Sequence, residues 1–327
     1  MPEEATTADQ KVQWFSKSFQ QIQNNVETVI VGKSETVRLA LVALFAEGHL
    51  LLEDVPGTGK TSLAKAMAAS IDGKWTRIQF TPDLLPADVT GATIYNQARG
   101  TFEFHQGPVF ANIVLGDEIN RASPKTQSAL LEVMEEFQVT VDSTAYPVSR
   151  PFMVIATQNP IEFEGTYRLP EAQLDRFLMR ISLGYLDHKS EVAVLGRHGQ
   201  AASPVTVAPV MSSNAVRAMA QLAEQVHVEP SIQGYIVAIA HATREMSDVR
   251  LGASTRACLA LQRAARVSAA ADGRAYVRPD DVKALAGPVL EHRMVLTPEA
   301  EMRGTSRGDL VQRVLREVTP PTARRSA

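Results

Sequence analysis

The stretch Leu50-Leu51-Leu52-Glu53-Asp54-Val55-Pro56-Gly57-Thr58-Gly59-Lys60-Thr61, followed at once by Ser62-Leu63-Ala64-Lys65-Ala66-Met67, decides how this chain is read. An apolar run stops at a glycine-containing turn and helix-forming residues take over, which predicts a strand, a tight loop and a helix start. Gly57 and Gly59 give the backbone the freedom to turn its N–H groups inward. The helix behind them adds unsatisfied donors and a partial positive charge, so the loop suits the phosphate tail of a nucleotide. Lys60 brings a full charge toward the β- and γ-phosphates, and Thr61 offers a hydroxyl to Mg²⁺. The expected binding set is Asp54, Val55, Pro56, Gly57, Thr58, Gly59, Lys60, Thr61 and Ser62. One letter departs from the full pattern, which wants Gly six residues before Lys60 where this chain has Asp54. A carboxylate aimed at phosphates would repel them. Asp54 is therefore expected to face away and accept backbone N–H groups at the turn.

Composition sets the bounds. A chain of 327 residues with 45% apolar and 21% charged side chains has the make-up of an ordinary soluble protein and the length for two domains. Its 33 basic and 36 acidic residues give a net charge of −3, so no basic excess points to a nucleic-acid partner. The single cysteine, Cys258, excludes an intramolecular disulfide and fits a reducing compartment; among Ala257, Leu259 and Ala260 it reads as a small buried core residue. Seven histidines with no His-x-x-x-His spacing argue against a structural zinc site. No apolar run approaches the roughly 20 residues that span a bilayer. Met1 to Gln10 lacks the basic and apolar segments of a leader, so a cytoplasmic location is expected. Residues 1–10 and 319–327 read as frayed ends.

Residues 36–47 read as a helix closed by Gly48 at C′. Strands are expected at 49–53, 76–80, 112–117, 151–157 and 179–184, mostly near-continuous apolar runs of the kind found in parallel sheets buried on both faces. Helices alternate with them: 62–71 after the loop, and one opened by Ser123 as N-cap and Pro124 as N1, with Leu130, Val133 and Met134 on its inner face. The alternation predicts a doubly wound α/β core. Residues 92–106 and 137–149 interrupt it as hairpins, turning at Ala98-Arg99-Gly100 and at Asp142-Ser143, and should project from the sheet. Beyond residue 186 helical spacing dominates, over 187–199, 212–226, 231–247, 254–270, 279–286 and 307–317, with a looser Ser203-Pro204 to Pro209 connection among them. The division expected is 1–28 tail and leading helix, 29–186 α/β core, 187–318 helical domain and 319–327 tail.

Ile113-Val114-Leu115-Gly116-Asp117-Glu118 is an apolar strand that ends on two carboxylates, facing the crevice where open α/β sheets bind ligands. Asp117 suits a Mg²⁺ ion held through its waters, and Glu118 suits the polarising of a water toward the γ-phosphate. The next buried strand, Phe152 to Thr157, ends at Gln158-Asn159-Pro160, where Asn159 could orient that water or simply begin an Asn-Pro turn.

Taken together these segments resemble an AAA+ ATPase of the MoxR group. The loop is similar to Walker A, LGDEINRASPKTQSALLEVMEE to Walker B and its following helix, and ATQNP to sensor 1. LPEAQLDRFLMR resembles the arginine-finger segment and GASTRA sensor 2. The matches run from about residue 29 to 317, and the two hairpins fall where this clade carries its helix-2 insert and pre-sensor-1 hairpin. The group commonly reads Glu-Asp-x-Pro-Gly-x-Gly-Lys-Thr, so Asp54 fits it. The resemblance implies an AAA+ core of parallel sheet between helices with an all-helical lid, and Mg²⁺-dependent ATP hydrolysis. It implies that Arg176 reaches a neighbouring subunit's γ-phosphate, with Arg180 and Arg168 as competitors in sequence, and that Arg256 touches nucleotide from the lid. It places Val31 and Gly32 near adenine. The plainer readings are a surface ion pair of Arg176 with Glu171 or Asp175, and an exposed helix-start arginine at 256. A homo-oligomeric ring of six subunits follows from the resemblance, as does chaperone-like maturation of clients that often carry von Willebrand factor A domains. Two alternatives stay open: an ATP-dependent scaffold with little turnover, and the motor subunit of a metal chelatase.

Overall fold

The computed structural model describes residues 8–55, 57–159, 166–167, 169–198 and 207–321. Pro56, Arg168 and the Ser203-Pro204 link lie outside the described residues. In chain order the first elements are α1 (Ala8–Glu27), α2 (Ser34–Phe45), β1 (His49–Glu53), α3 (Lys60–Ser70), β2 (Trp75–Gln79) and α4 (Pro86–Thr90). The hairpin strands β3 (Gly91–Asn96) and β4 (Thr101–Gln106) follow, then β5 (Ile113–Asp117) and α5 (Pro124–Glu136). A second hairpin, β6 (Gln138–Val141) and β7 (Thr144–Pro147), precedes β8 (Met153–Gln158), α6 (Glu171–Leu174) and β9 (Phe177–Ile181). The rest comprises α7 (His188–His198), α8 (Ser213–Glu224), α9 (Pro230–Glu245), β10 (Val249–Leu251), α10 (Thr255–Ala271), α11 (Pro279–Leu290), β11 (Val295–Leu296), α12 (Pro298–Met302) and α13 (Arg307–Glu317).

Five strands form one sheet in the order β2-β5-β8-β1-β9. The β1–β8, β8–β5 and β5–β2 pairs are parallel, so the residues after β1, β5 and β8 emerge at one edge. The apolar runs explain themselves here: Leu50 to Leu52, Ile113 to Leu115 and Met153 to Ala156 are all buried, as strands covered on both faces must be. By packing, the chain divides into two compact units, residues 21–176 with 181–217, and residues through Gln20 with 177–180 and 218–327.

In the α/β unit the end of α2 differs from expectation. Glu47, not Gly48, takes the left-handed C′ position at φ 48°. Gly48 N–H reaches Ala43 O at 2.9 Å and Glu47 N–H reaches Leu44 O at 3.1 Å, the paired bonds of a Schellman close, with Gly48 one place further out. Arg150 holds the Glu47 carboxylate at 2.6 Å. α5 begins as expected, with Ser123 accepting from Thr126 N–H at 3.4 Å and Leu130, Val133 and Met134 buried. The two hairpins form two-stranded sheets of their own, apart from the five-stranded one, and lock to each other: Phe104 stacks on Tyr146 with ring centroids 4.1 Å apart, and Thr93 donates to Asp142 at 2.7 Å. The second hairpin turns with Asp142 and Ser143 at φ 47° and 65°, both left-handed, which matches the strand twist. Ile94, Tyr95 and Phe102 on the first hairpin are left exposed, Phe102 at 74%.

The other unit is helical, with one unforeseen addition: β10 and β11 pair antiparallel. Strands of two or three residues are too short for alternation to register in a sequence. α1 starts at Ala8, so the expected fraying of 8–10 is not found; Gln13 and Ser16 fasten the helix to Gly273 O and Ala271 O at 3.2 and 2.7 Å. Buried Asp281 accepts two bonds from Arg274, at 2.6 and 2.7 Å, and one from Arg278 N–H at 2.7 Å, which closes the first turn of α11. The Asp281 carboxylate holds the Arg274 guanidinium above its ordinary pKa. His292 and Arg293, both buried, grip residues of β9: His292 Nε2 lies 3.0 Å from Phe177 O, and Arg293 donates to Phe177 O and Leu178 O at 2.7 and 3.1 Å. Burial drives the His292 pKa well below the usual histidine range, so it serves as a neutral donor. Cys258 is half-buried rather than a core residue, because the phase of α10 turns Ala257, Ala260 and Leu261 inward instead. Desolvation raises its thiol pKa.

Candidate functional site

The loop after β1 is built as its glycines require. Gly57 and Gly59 sit at φ 85° and 95°, and a Cβ on either would meet nothing within 4 Å. Left-handed backbone, not crowding, demands glycine at both positions. Gly59 is the N-cap of α3, and Lys60 opens that helix. Lys60 Nζ lies 3.0 Å from Asp54 O and 3.3 Å from Val55 O, folded over the loop, and Thr58 donates to Val55 O at 3.3 Å. Thr61 and Ser62 follow in the first helical turn, where backbone donors have no intrahelical partner.

Asp54 is buried and faces away from the loop, but its partners are not those of its own turn. It accepts N–H from Leu183 at 2.5 Å and from Gly184 at 3.1 Å, about 130 residues onward. An Asx turn would have used donors two residues on; the folded chain supplies better ones from the segment after β9. That segment also meets the stretch before α2. Lys33 Nζ donates to Tyr185 O at 2.6 Å, and a Cβ on Gly32, at φ 72°, would lie 2.2 Å from Ser190 Oγ. Asp187 caps α7 by accepting from Ser190 N–H at 2.8 Å, which holds its carboxyl below the usual carboxylate pKa. Gly32 and Lys33 therefore share the segment 183–190 with Asp54. Replacing Asp54 with Ala strands the Leu183 and Gly184 N–H groups; we expect the urea midpoint to fall by the equivalent of about 1–3 kcal/mol with little change in slope. A parental midpoint would show that those N–H groups find other partners.

At the end of β5 the two carboxylates are tied into one network. Asp117 Oδ1 accepts from Thr157 Oγ1 at 2.6 Å, and that same Oγ1 accepts Glu118 N–H at 2.9 Å. Arg77 donates to Asp117 Oδ2 through Nε at 3.1 Å and Nη2 at 2.6 Å. Glu118 Oε2 accepts from Gln79 Nε2 and Arg121 Nη1, each at 3.0 Å. Glu118 adopts φ 56° and ψ 50°, a left-handed conformation that costs a non-glycine residue energy and is common at functional sites. Thr157, Arg77, Gln79 and Arg121 escaped the sequence reading. Only Thr157 left a trace there, as the polar residue before Gln158-Asn159 in an otherwise apolar strand.

Asn159 is buried at the end of β8, between the strands that lead to the phosphate loop and to the carboxylates. Arg176 pairs with neither Glu171 nor Asp175 but with Glu135 of α5, at 2.8 Å. Its sequence competitor Arg180 is bound to Glu291 at 3.1 Å within the helical unit. Arg256 belongs to that unit too, exposed in the first turn of α10 behind its N-cap Ser254. The sheet thus sets Asp54 to Ser62 (Pro56 aside), Asp117, Glu118 and Asn159 at the ends of three neighbouring parallel strands, while Gly32 lies against Ser190 of the segment after β9.

Residues 49–179 match the family described as ATPase family associated with various cellular activities, and residues 241–314 match the AAA lid domain. The chain is 43% identical over 305 residues to Chaperone MoxR1 of Mycobacterium tuberculosis, covering 90% of this chain and 80% of that protein. It is 31% identical over 322 residues to Protein MoxR of Paracoccus denitrificans, covering 89% and 92%. The chain belongs to the MoxR family of AAA+ ATPases. A MoxR-family reading also accounts for 48% identity over 300 residues to the uncharacterized protein YeaC of Bacillus subtilis, which covers 92% of this chain and 94% of that one. A crystal structure assigned as an ATPase from Cytophaga hutchinsonii superposes with a TM-score of 0.90 at 42% identity, over 96% of this chain and 98% of that one.

The donor set suits a nucleotide with a hard divalent cation. Backbone N–H groups and the Lys60 ammonium are donors of the kind that phosphates need, and Thr61 and Asp117 carry oxygens of the kind that a hard cation needs. Among the described residues no three His, Cys, Asp or Glu side chains gather to hold a metal. Mg²⁺ in such sites leans on one or two protein oxygens and the phosphates themselves.

Proposed function

We propose that this MoxR-family ATPase is the motor of a ring that remodels or matures partner proteins, in the manner of a chaperone. The observation that carries the reading is the sheet order, which sets the loop after β1 and the carboxylates after β5 on either side of Thr157 and Asn159. ATP is the substrate. Residues 57–61 and Lys60 hold its phosphates, and Val31 and Gly32 border the adenine. Thr61 and Asp117 would hold Mg²⁺, which neutralises charge on the β- and γ-phosphates. Glu118 takes the proton side of the attacking water, and Asn159 fixes that water's direction. Arg256 from the lid of the same chain and Arg176 from a neighbouring chain stabilise the charge that develops on the departing phosphoryl group. Needing an arginine from next door makes the ring, of six copies by family likeness, part of the active site.

Client work falls to the joined hairpins, whose exposed Ile94, Tyr95 and Phe102 offer apolar area to a partner. Proteins with a metal-holding von Willebrand factor A domain are the clients favoured by the family, and a cytoplasmic setting fits the lone Cys258. The scaffold alternative is weaker, because the phosphate, metal and water-orienting positions are all filled. No helix among the described residues is long and apolar enough to cross a membrane. A trapping experiment tests the whole. Glu118→Gln protein with ATP, sized by mass photometry, should reach six times the 35.6-kDa chain. Used as bait, it should retain a protein with such an A domain. A monomer at micromolar concentration sinks the ring, and capture without any A-domain protein sinks the client assignment.

A further inference from the structure

We propose that Arg77 is a positioning residue that competes with the divalent cation for Asp117 and so sets the cation concentration at which nucleotide is firmly held. The inference rests on the nucleotide-site reading above. Arg77 lies in β2, at the edge of the sheet, opposite Leu115 in register, yet its side chain runs along the strand to Asp117. Two of its nitrogens address the same oxygen, Oδ2, and Nη2 also donates to Gln79 Oε1 at 2.6 Å. Gln79 presents its other end, Nε2, to Glu118. One guanidinium therefore touches the candidate metal carboxylate and fixes the amide that holds Glu118, the candidate base for the attacking water.

Counting lone pairs shows why the arrangement is competitive. A carboxylate offers about four acceptor positions. Three of those on Asp117 are filled by protein, one by Thr157 on Oδ1 and two by Arg77 on Oδ2. A cation, or the waters around it, must regain positions on this group. Thr157 cannot yield them, since it is fully buried and its Oγ also accepts Glu118 N–H. Arg77 can: its side chain is 47% exposed against 13% for Asp117, so it can swing into solvent at small cost. Its positive charge on Oδ2 also opposes a dication directly. When it leaves, Gln79 loses the partner that orients its amide, and the change passes to Glu118.

The test uses the full-length chain, with N-methylanthraniloyl-ADP as fluorescent probe and free Mg²⁺ titrated against it. In Arg77→Ala the Mg²⁺ concentration giving half of the affinity gain should fall about three- to fivefold, the scale of one partly exposed ion pair. Arg77→Lys keeps a charge but loses the planar fork, so a smaller fall is expected. It also guards against a poorly folded alanine variant. Probe affinity in EDTA should match the parent in both variants, because Arg77 does not address the phosphates. An unchanged or raised Mg²⁺ midpoint in both overturns the proposal, and so does a loss of affinity in EDTA. A parent whose probe binding ignores Mg²⁺ altogether overturns instead the nucleotide-site reading beneath it.

Discussion

Mixing Arg176→Ala protein with Lys60→Ala protein is expected to restore ATP hydrolysis that neither variant shows alone. An arginine supplied across a subunit boundary is worth roughly 10³–10⁵ in rate in related hydrolases, so Arg176→Ala alone should fall by that scale. Lys60→Ala alone should fail earlier, at phosphate binding. In a mixed ring, a subunit with intact Lys60 can sit beside one with intact Arg176, and that boundary works. The structure adds a reason to expect the loss to be mechanistic rather than conformational. Arg176 is bound to Glu135 at 2.8 Å, with both side chains about one-third exposed, and such a pair contributes about 0–1 kcal/mol to folding. Thermal midpoints of Arg176→Ala and parent should therefore nearly coincide. If mixed samples stay as inactive as either component, Arg176 does not act between subunits.

A second large effect is expected at Glu118. Glu118→Gln keeps the size and polarity of a side chain that accepts from Gln79 and Arg121, and its backbone has the same access to the left-handed conformation. What it loses is the basicity that draws a proton from water. Steady-state hydrolysis should drop by about 10²–10⁴ while fluorescent ATP binds as tightly as before. A rate within threefold of the parent would assign the water to another group and leave Glu118 a structural anchor of the Asp117–Thr157 network.

The sheet was legible because parallel strands buried on both faces betray themselves as unbroken apolar runs, and the loop because its chemistry is packed into consecutive residues. Carboxylates and amides at strand ends were legible for the same reason. What escaped was everything assembled across strands. Arg77 and Gln79 fall inside the strand expected at 76–80, and nothing in that stretch says which carboxylate each will meet. Arg176 offered two acidic neighbours in sequence, and folding chose Glu135 on α5 instead. The Glu47 helix close was hidden by an adjacent glycine that seemed better suited to a left-handed site. The pairing of β10 with β11 was hidden by its brevity. Long-range side-chain partners depend on register and strand order, which the motif strings do not carry.

The Asp54 contacts have a consequence for anyone treating the phosphate loop as an interchangeable cassette. Its two acceptor oxygens serve donors at Leu183 and Gly184, so the loop and a segment on the far side of the primary sequence are halves of one joint. Grafting in the glycine-first version found in other ATPases would improve the local motif and unfasten the distant half. The reverse transplant would import a buried carboxylate into a host without N–H groups waiting for it. The letter that looks like a defect in the motif is the peg of a two-part fitting, and only a chimaera that moves both parts together should keep its shape.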